Sequence, residues 1–335
     1  MQKQLALSVG VISLAVLGWV AWYATKGDLR PTAQAGAEAS TPSTTMKNHA
    51  FPYFESEADY QPAFSADNLA ASYKNAKNLY EFEQEALKHP KEGGYFYASL
   101  AALACQAEDM AKLPTQFNAE SNEASHLPDK YIQNHVARGS AEWNAIYSMR
   151  NASMQRYKEK CKNFPPAKRG AMREYLERLD QGMRLGDPLA LIDGGRQLGK
   201  IGAEEALKLK IASQDPEALR NLSLAMISKE NSDGQSSVAY FDGRWWSDDA
   251  KLFDAASLAY CEFGASCKIE SDLRLMGDCI LGGSCYASKI ETVRLAGASG
   301  EPLTPEEMKE VLELRDRIVK AIRNKDMAAF IPPKQ

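Results

Sequence analysis

Six cysteines carry the clearest chemistry in this chain of 335 residues. Four of them make two copies of C-x-x-G-x-x-C, at Cys261/Cys267 and at Cys279/Cys285, while Cys105 and Cys161 stand apart. Sulfurs so spaced could hold a metal, exchange electrons or staple the chain. Structural zinc sites usually place two to four residues between the ligands of a knuckle. The intervening stretches here, such as "EFGAS", are longer, and no histidine lies near. Thioredoxin-type exchange requires C-x-x-C, and covalent haem attachment requires C-x-x-C-H. Neither occurs. Free buried thiols acting as small hydrophobes are the remaining alternative to disulfides.

Disulfides fit the spacing best. In an unbroken helix, residues six apart are separated by about 9 Å, beyond the roughly 7 Å that a disulfide tolerates between Cα atoms. Gly264 and Gly282 each sit midway between their cysteines. A glycine there can end a helix in the left-handed conformation and turn the chain back. This predicts Cys261–Cys267 and Cys279–Cys285. A bridge from Cys261 to Cys279 across a turn near residue 270 is the competing connectivity, and the sequence does not decide between them. Cys105 and Cys161 would join two separate helices. In the chain-entropy model the longer loop contributes about 4 kcal/mol and each short loop about 2 kcal/mol. Three such bonds predict an oxidising compartment.

Other chemistry is sparse. His49, His89, His126 and His135 are the four histidines, and none neighbours a nucleophile motif. Neither G-x-S-x-G nor H-E-x-x-H occurs. "LIDGGRQLG" has Gly194, Gly195 and Gly199 but no phosphate-loop lysine, so close helix packing is expected there. "ENSDGQSS" has too few oxygens for a calcium loop and lacks the closing Glu, and reads as a polar turn. No cofactor and no metal is expected. The better site candidates are aromatic: Tyr95, Phe96 and Tyr97 in succession, and Phe241, Trp245 and Trp246 around an Asp-Gly turn. They are either packing under a loop or an exposed platform for a peptide or glycan.

The net charge of -4 argues against nucleic acid as a partner. The densest basic stretch, Arg156 to Arg178, is interrupted by Glu159, Glu174 and Glu177. It is expected to be a solvated helix face rather than a phosphate-binding strip.

These residues must be positioned by the elements around them. From Leu5 to Tyr23 the chain carries no charge. As a helix this run covers roughly 28 Å, close to the hydrocarbon thickness of a bilayer. Trp19, Trp22 and Tyr23 gather at its end, as interfacial aromatics do. Residues 1–26 are therefore expected to be a transmembrane anchor. The alternative is a cleaved leader ending near Ala35. Residues 27–50 read as a flexible Ala/Ser/Thr/Pro-rich tether. Residues 51–335 read as one helical domain with a sub-division near 165, its "FPYFESEADYQPAF" start lying extended against the fold.

Helix signals dominate from Asp67 onward. One helix is expected from an Asp67 cap to Pro90, another from the Gly93-Gly94 pair, and a long one broken near Gly139. "RLGDPLALIDGGRQL" and "ASQDPEALRNLSLAM" both place Asp at an N-cap and Pro at the first helical position. "SSVAYFDGRWWSDD" predicts a hairpin turning at Asp242-Gly243. Thr304, Pro305 and Glu307 form a capping box. It opens a last helix whose Met308, Val311, Leu312, Ile318, Val319 and Ile322 share one face.

"RLGDPLALIDGGRQL" resembles the small-residue pattern of Sel1-like repeats, relatives of the tetratricopeptide repeats. With cysteines at its helix ends, the chain is similar to cysteine-rich Sel1-like proteins and to six-cysteine periplasmic helical proteins of proteobacteria. The resemblance covers roughly residues 175–287 and implies an α-helical scaffold that binds proteins or peptides, with no catalytic residues. The expected fold is all-α, made of antiparallel helix pairs, with an N-terminal transmembrane helix and one short β-hairpin. The expected role is protein or peptide binding in the cell envelope, with the domain in the periplasm and the inner membrane holding its N-terminus. An envelope hydrolase with a site outside known motifs, or a secreted effector or immunity protein, is the alternative.

Overall fold

The computed structural model describes residues 68–105, 114–165, 171–226, 228–230, 237–247, 250–298 and 301–333. All of them belong to one unit, Asp59–Gln335. The expected anchor, the tether, the "FPYFESEADYQPAF" segment and most of "ENSDGQSS" lie outside the described residues. Among those described, no helix is long and apolar enough to cross a membrane.

The chain is mostly helical. In order, the helices are α1 (Leu69–Asn75), α2 (Leu79–Ala86), α3 (Gly94–Cys105), α4 (Lys130–His135), α5 (Ala141–Lys160), α6 (Ala171–Arg184) and α7 (Pro188–Gln197). They continue with α8 (Ala203–Ser213), α9 (Pro216–Leu219), α10 (Leu222–Ala225), α11 (Ala250–Ala259), α12 (Leu273–Gly277), α13 (Lys289–Ala296) and α14 (Pro305–Arg323). One antiparallel sheet, β1 (Ser228–Glu230), β2 (Ser237–Phe241) and β3 (Arg244–Ser247), stands between α10 and α11.

The expected hairpin is β2–β3, with Phe241 opposite Arg244. Asp242 and Gly243 both take positive φ, 53° and 80°, as a two-residue turn matched to strand twist requires. Strand β1 is an addition to the expected hairpin. It is three residues long and follows a proline-free helical stretch, so no alternating pattern announces it. The first expected helix is in fact two. Asn68 caps α1 in place of Asp67, and Asn78 opens α2 by accepting from Tyr80 and Glu81 N–H groups. An asparagine inside a helical run can compete for backbone donors and start a new helix.

Both Asp-Pro caps form, and one does more than the sequence implies. Asp187 Oδ1 accepts from the N–H groups of Leu189 and Ala190, each at 2.9 Å, capping α7. Its Oδ2 accepts from Tyr95 and Phe96 N–H, at 2.9 and 3.0 Å, and so caps α3 as well. One buried carboxylate closes the orphan donors of two helix ends. Asp215 opens only the four residues of α9.

Consecutive helices pack as neighbours, α2 on α3, α6 on α7 and α7 on α8, and α3 also lies along α6. Gly194 permits one close approach, since a Cβ there would sit 2.8 Å from the Cβ of Leu179. That is the close packing expected of "LIDGGRQLG". Leu79, Phe82, Phe96 and Tyr97 share a core with Tyr175, Leu179 and Ile192. Helices from both sides of residue 165 therefore belong to one core, and the expected sub-division does not match it. A second core gathers α8 to α11, α13 and α14, with Val311, Ile318 and Ile322 of α14 fully buried. Leu314 joins that face, and Leu312 is only partly covered. The capping box at Thr304 and Glu307 is present.

The bonded cysteines are Cys105–Cys161, Cys261–Cys267 and Cys279–Cys285, with Cα atoms 5.3, 5.8 and 4.3 Å apart. The local pairing holds and the Cys261–Cys279 alternative does not. Gly264 takes φ +97°, as expected, but the second reversal falls on Gly283 (φ +71°) rather than Gly282. A short π-helical turn at Asp278–Gly282 adds a residue before the chain turns, which moves the left-handed position one place on.

Candidate functional site

Two adjoining depressions run between α1, the α9 segment and the loop from Cys261 to Arg274. One, about 440 Å³, is lined by Asn68, Lys74, Glu92, Tyr97, Asp215 and Phe263 among others. The second, about 330 Å³, is lined by Tyr73, Lys74, Phe96, Leu100, Leu103, Tyr175, Asp193, Glu217, Arg220, Asp272, Leu273 and Arg274 among others. Lys74 lines both and stands where they adjoin, and the pair is called the cleft.

The cleft floor is a network of buried charges and phenols. Arg220 is clamped on both sides: Nε and Nη2 donate to Glu217, at 2.7 and 2.9 Å, and Nη1 donates to Asp272 at 2.9 Å. Its guanidinium lies 4.5 Å from the ring centroid of Tyr260, whose hydroxyl is 3.1 Å from Nη1. Burial alone would pull the Arg220 pKa down. Asp272 and then Glu217 outweigh it and hold the group well above its ordinary value. Asp272 also caps α12, accepting from Arg274 and Leu275 N–H.

Two tyrosine–aspartate pairs stand beside this clamp. Tyr97 donates its hydroxyl to Asp215 at 2.7 Å, and Tyr175 donates to Asp193. Lys210, buried beneath them, donates to the carbonyl of Ala218. Desolvation lowers the pKa of Lys210, against the opposing pull of Asp193 and Asp215. Desolvation raises Asp215, against the hydrogen bonds from Ala218 and Tyr97. Tyr73 completes the set, its ring 5.6 Å from those of Phe82 and Tyr97. Burial first, then the Glu217 carboxylate, keeps its phenol protonated.

Set against protein-family profiles, curated proteins and solved structures, the chain matches none.

The aromatic candidates fare differently. Phe96 and Tyr97 are each 1% exposed and belong to the core, so they form no exposed platform, although their edges reach the cleft. Both lie on α3, and α2 and α6 pack against that helix and cover them. Tyr95 is half-buried and lines neither depression. Phe241 is buried against Phe330, with ring centroids 5.2 Å apart. Trp245 and Trp246 remain half-exposed on β3. Trp246 donates Nε1–H to the carbonyl of Phe241 at 3.0 Å and carries the Arg244 guanidinium 3.5 Å above its ring. These hairpin rings do not line the cleft.

The basic strip is not uniformly solvated. Lys160 donates to the carbonyl of Ala76, and Arg178 pairs with buried Glu83. Long side chains here bury their stems while the heads find partners. His126 is buried in a short turn, where its Nδ1 accepts from Asn118 N–H. Among the described residues, no group of three metal-ligating side chains gathers.

Sequence reasoning missed Tyr73, Tyr175, Asp193, Arg220, Asp272 and Arg274 as a group. Two signals were present. Lys210 and Arg220 each interrupt an apolar run, in "ALKLKIA" and "EALRNL", and Asp272 stands just before the apolar residues of α12.

Proposed function

We propose that this protein is a disulfide-stapled helical scaffold that acts by binding a protein or peptide segment in the cell envelope. Its domain faces the periplasm, and its N-terminal segment holds it to the inner membrane. The observation that carries this reading is the cleft between α1 and the Cys261–Arg274 loop. Its charged floor is internally satisfied, and leucines form part of its wall. Clefts that combine apolar walls with a few fixed polar groups are the usual form of a binding site. The successive helix pairs opened by Asp187-Pro188 and Asp215-Pro216 support a Sel1-like or tetratricopeptide-like relationship, in which stacked pairs present such a surface. Three disulfides support an oxidising compartment.

Site-specific photo-crosslinking in intact cells tests the binding role. A photoreactive residue at Leu100, in the cleft, is expected to give discrete protein adducts. The same residue at exposed Leu224, outside the cleft, is the control. Identical adduct patterns from both positions would defeat the reading. Complete alkylation of all six cysteines in the native protein, before any reductant, would defeat the compartment.

A further inference from the structure

The smaller depression is electrically balanced and holds an unused donor. Among the described residues that line it, Lys74, Arg220 and Arg274 stand against Asp193, Glu217 and Asp272, three charges of each sign. Just outside the lining, Lys210 acts on Asp193 and Asp278 acts on Arg274, so the balance is kept. The carboxylates already have donors: Tyr175 donates to Asp193, and Glu217 and Asp272 share Arg220. The Tyr73 hydroxyl differs. It has no hydrogen-bond partner among the described residues, yet Glu217, Arg220 and Asp272 are the charges that act on it, which sets it beside the clamped guanidinium. Its ring packs on those of Phe82 and Tyr97. Leu100, Leu103 and Leu273 line the same depression, and the core covers each of them only in part.

We infer that the smaller depression is a subsite for one neutral, apolar peptide residue, whose backbone carbonyl accepts from the Tyr73 hydroxyl and whose side chain rests on the leucines. The inference rests on the peptide-binding reading and names the class of residue taken. A charged side chain gains no net attraction from a balanced lining and still loses its hydration. An anionic acceptor at the phenol would meet Glu217 and Asp272, whereas an amide carbonyl brings no charge for them to repel. At about 330 Å³ the depression is near the lower limit of ligand sites, about 300 Å³, which suits one or two residues. The two ring contacts already orient the phenol, so little entropy is lost when a ligand accepts from it.

The test starts from a random phage-displayed peptide library selected on the full-length, oxidised protein. Leu, Ile, Met or Phe is expected at one fixed position, with neither acid nor base there. In a synthetic peptide from the selection, Glu or Lys at that position should weaken binding at least about tenfold, the least expected from losing one buried apolar side chain. A thioamide at the same residue replaces the carbonyl oxygen by sulfur, a weaker acceptor. It should bind the wild-type protein about fivefold more weakly than the amide, the scale of one hydrogen bond. Tyr73→Phe should bind amide and thioamide equally. Each comparison sets two ligands on one protein, so it does not depend on how stable the variant is. A fixed acid or base in the selected peptides, or the same thioamide penalty on wild type and Tyr73→Phe, would overturn the subsite and leave peptide binding standing. No enrichment at all would overturn both.

Discussion

Arg150 is 2% exposed and has no carboxylate partner among the described residues. Its charge is met by four backbone carbonyls instead. Nη1 donates to His126 and Leu127 at 2.8 and 3.1 Å, and Nη2 to Ser125 and Ile280 at 3.2 and 2.8 Å. Nε adds a longer contact to Ile280 at 3.3 Å, and the guanidinium lies 3.7 Å from the ring centroid of Phe117. Desolvation lowers its pKa to about 10, so the group stays charged at neutral pH. The clamp joins α5 to the 125–127 turn and to the loop enclosed by Cys279–Cys285. Replacing Arg150 by Met keeps much of the apolar stem and removes every donor. The His126 carbonyl retains the Tyr147 hydroxyl at 2.7 Å, and Ser125 lies at the surface. The carbonyls of Leu127 and Ile280 lose their side-chain donor where water has little access. At about 1–3 kcal/mol for each abandoned acceptor, Arg150→Met should cost about 3–5 kcal/mol.

Urea denaturation under non-reducing conditions measures this as a lower midpoint with an unchanged slope. Arg150→Lys supplies a useful gradation. An ammonium has three donors and no planar fork, so it should recover part of the loss, leaving a deficit of about 2 kcal/mol. An Arg150→Met protein within about 1 kcal/mol of wild type would refute the argument. It would mean that the carbonyls find other partners and that the buried cation merely offsets its own desolvation.

Three further outcomes follow from the same reasoning. Asparagine normally equals aspartate at an N-cap, but Asp187 uses both oxygens for two helices, so Asp187→Asn should lose about 1–2 kcal/mol; equal thermal stability would refute the double cap. Gly283 takes φ +71° and a Cβ there would meet Pro128 Cα at 2.6 Å, so Gly283→Ala should cost about 2 kcal/mol or more in a denaturation midpoint. Burial raises Asp254 to about 6 from 3.8, which means the folded state holds its proton to higher pH than the unfolded chain. Its contribution to stability is therefore full below about pH 4 and is lost as pH rises through 6, by about 3 kcal/mol. Subtracting the stability-versus-pH curve of Asp254→Asn should reveal that decline, and parallel curves would refute it.

Features set by short-range stereochemistry are legible in the sequence itself. The Asp187 and Asp215 caps, the Thr304–Glu307 box and the Asp242-Gly243 turn each depend on neighbours within a few positions. The short disulfides are favoured for the same reason, because a glycine between close cysteines can reverse the chain, but their connectivity is decided only in the fold. Where a local competitor intervenes, the expectation slips by a residue or an element. Asn78 splits one helix into two, and the π-helical turn moves the reversal from Gly282 to Gly283. The cleft is not legible, since Tyr73, Asp193, Arg220 and Asp272 come from four distant segments and only packing brings them together. The aromatic run Tyr95–Tyr97 misleads in an instructive way. Three successive rings cannot share one helical stripe, yet α3 is covered by α2 on one side and α6 on another, so adjacent rings can both be buried.

The location of the covalent bonds follows from where regular structure fails. One wall of the cleft is the α1 helix. Another wall, from Cys261 to Asp272, is irregular after the short turn at Tyr260–Phe263 and is tied to the following loop by Ile269 N–H to the Ala287 carbonyl and Lys289 N–H to the Cys267 carbonyl. Fixing such backbone costs on the order of 1–2 kcal/mol per residue, which buried Ala265 and Ile269 and partly buried Phe263 offset in part. The Cys261–Cys267 bond removes part of that entropy in advance. It encloses Phe263 and Gly264, which line the larger depression, and Ser266, which lines the smaller. Cys279–Cys285 does the same for the loop that supplies the Ile280 carbonyl to Arg150. Each short staple thus adds a covalent constraint to an irregular segment already anchored by buried residues, and one of the two segments forms part of the cleft wall.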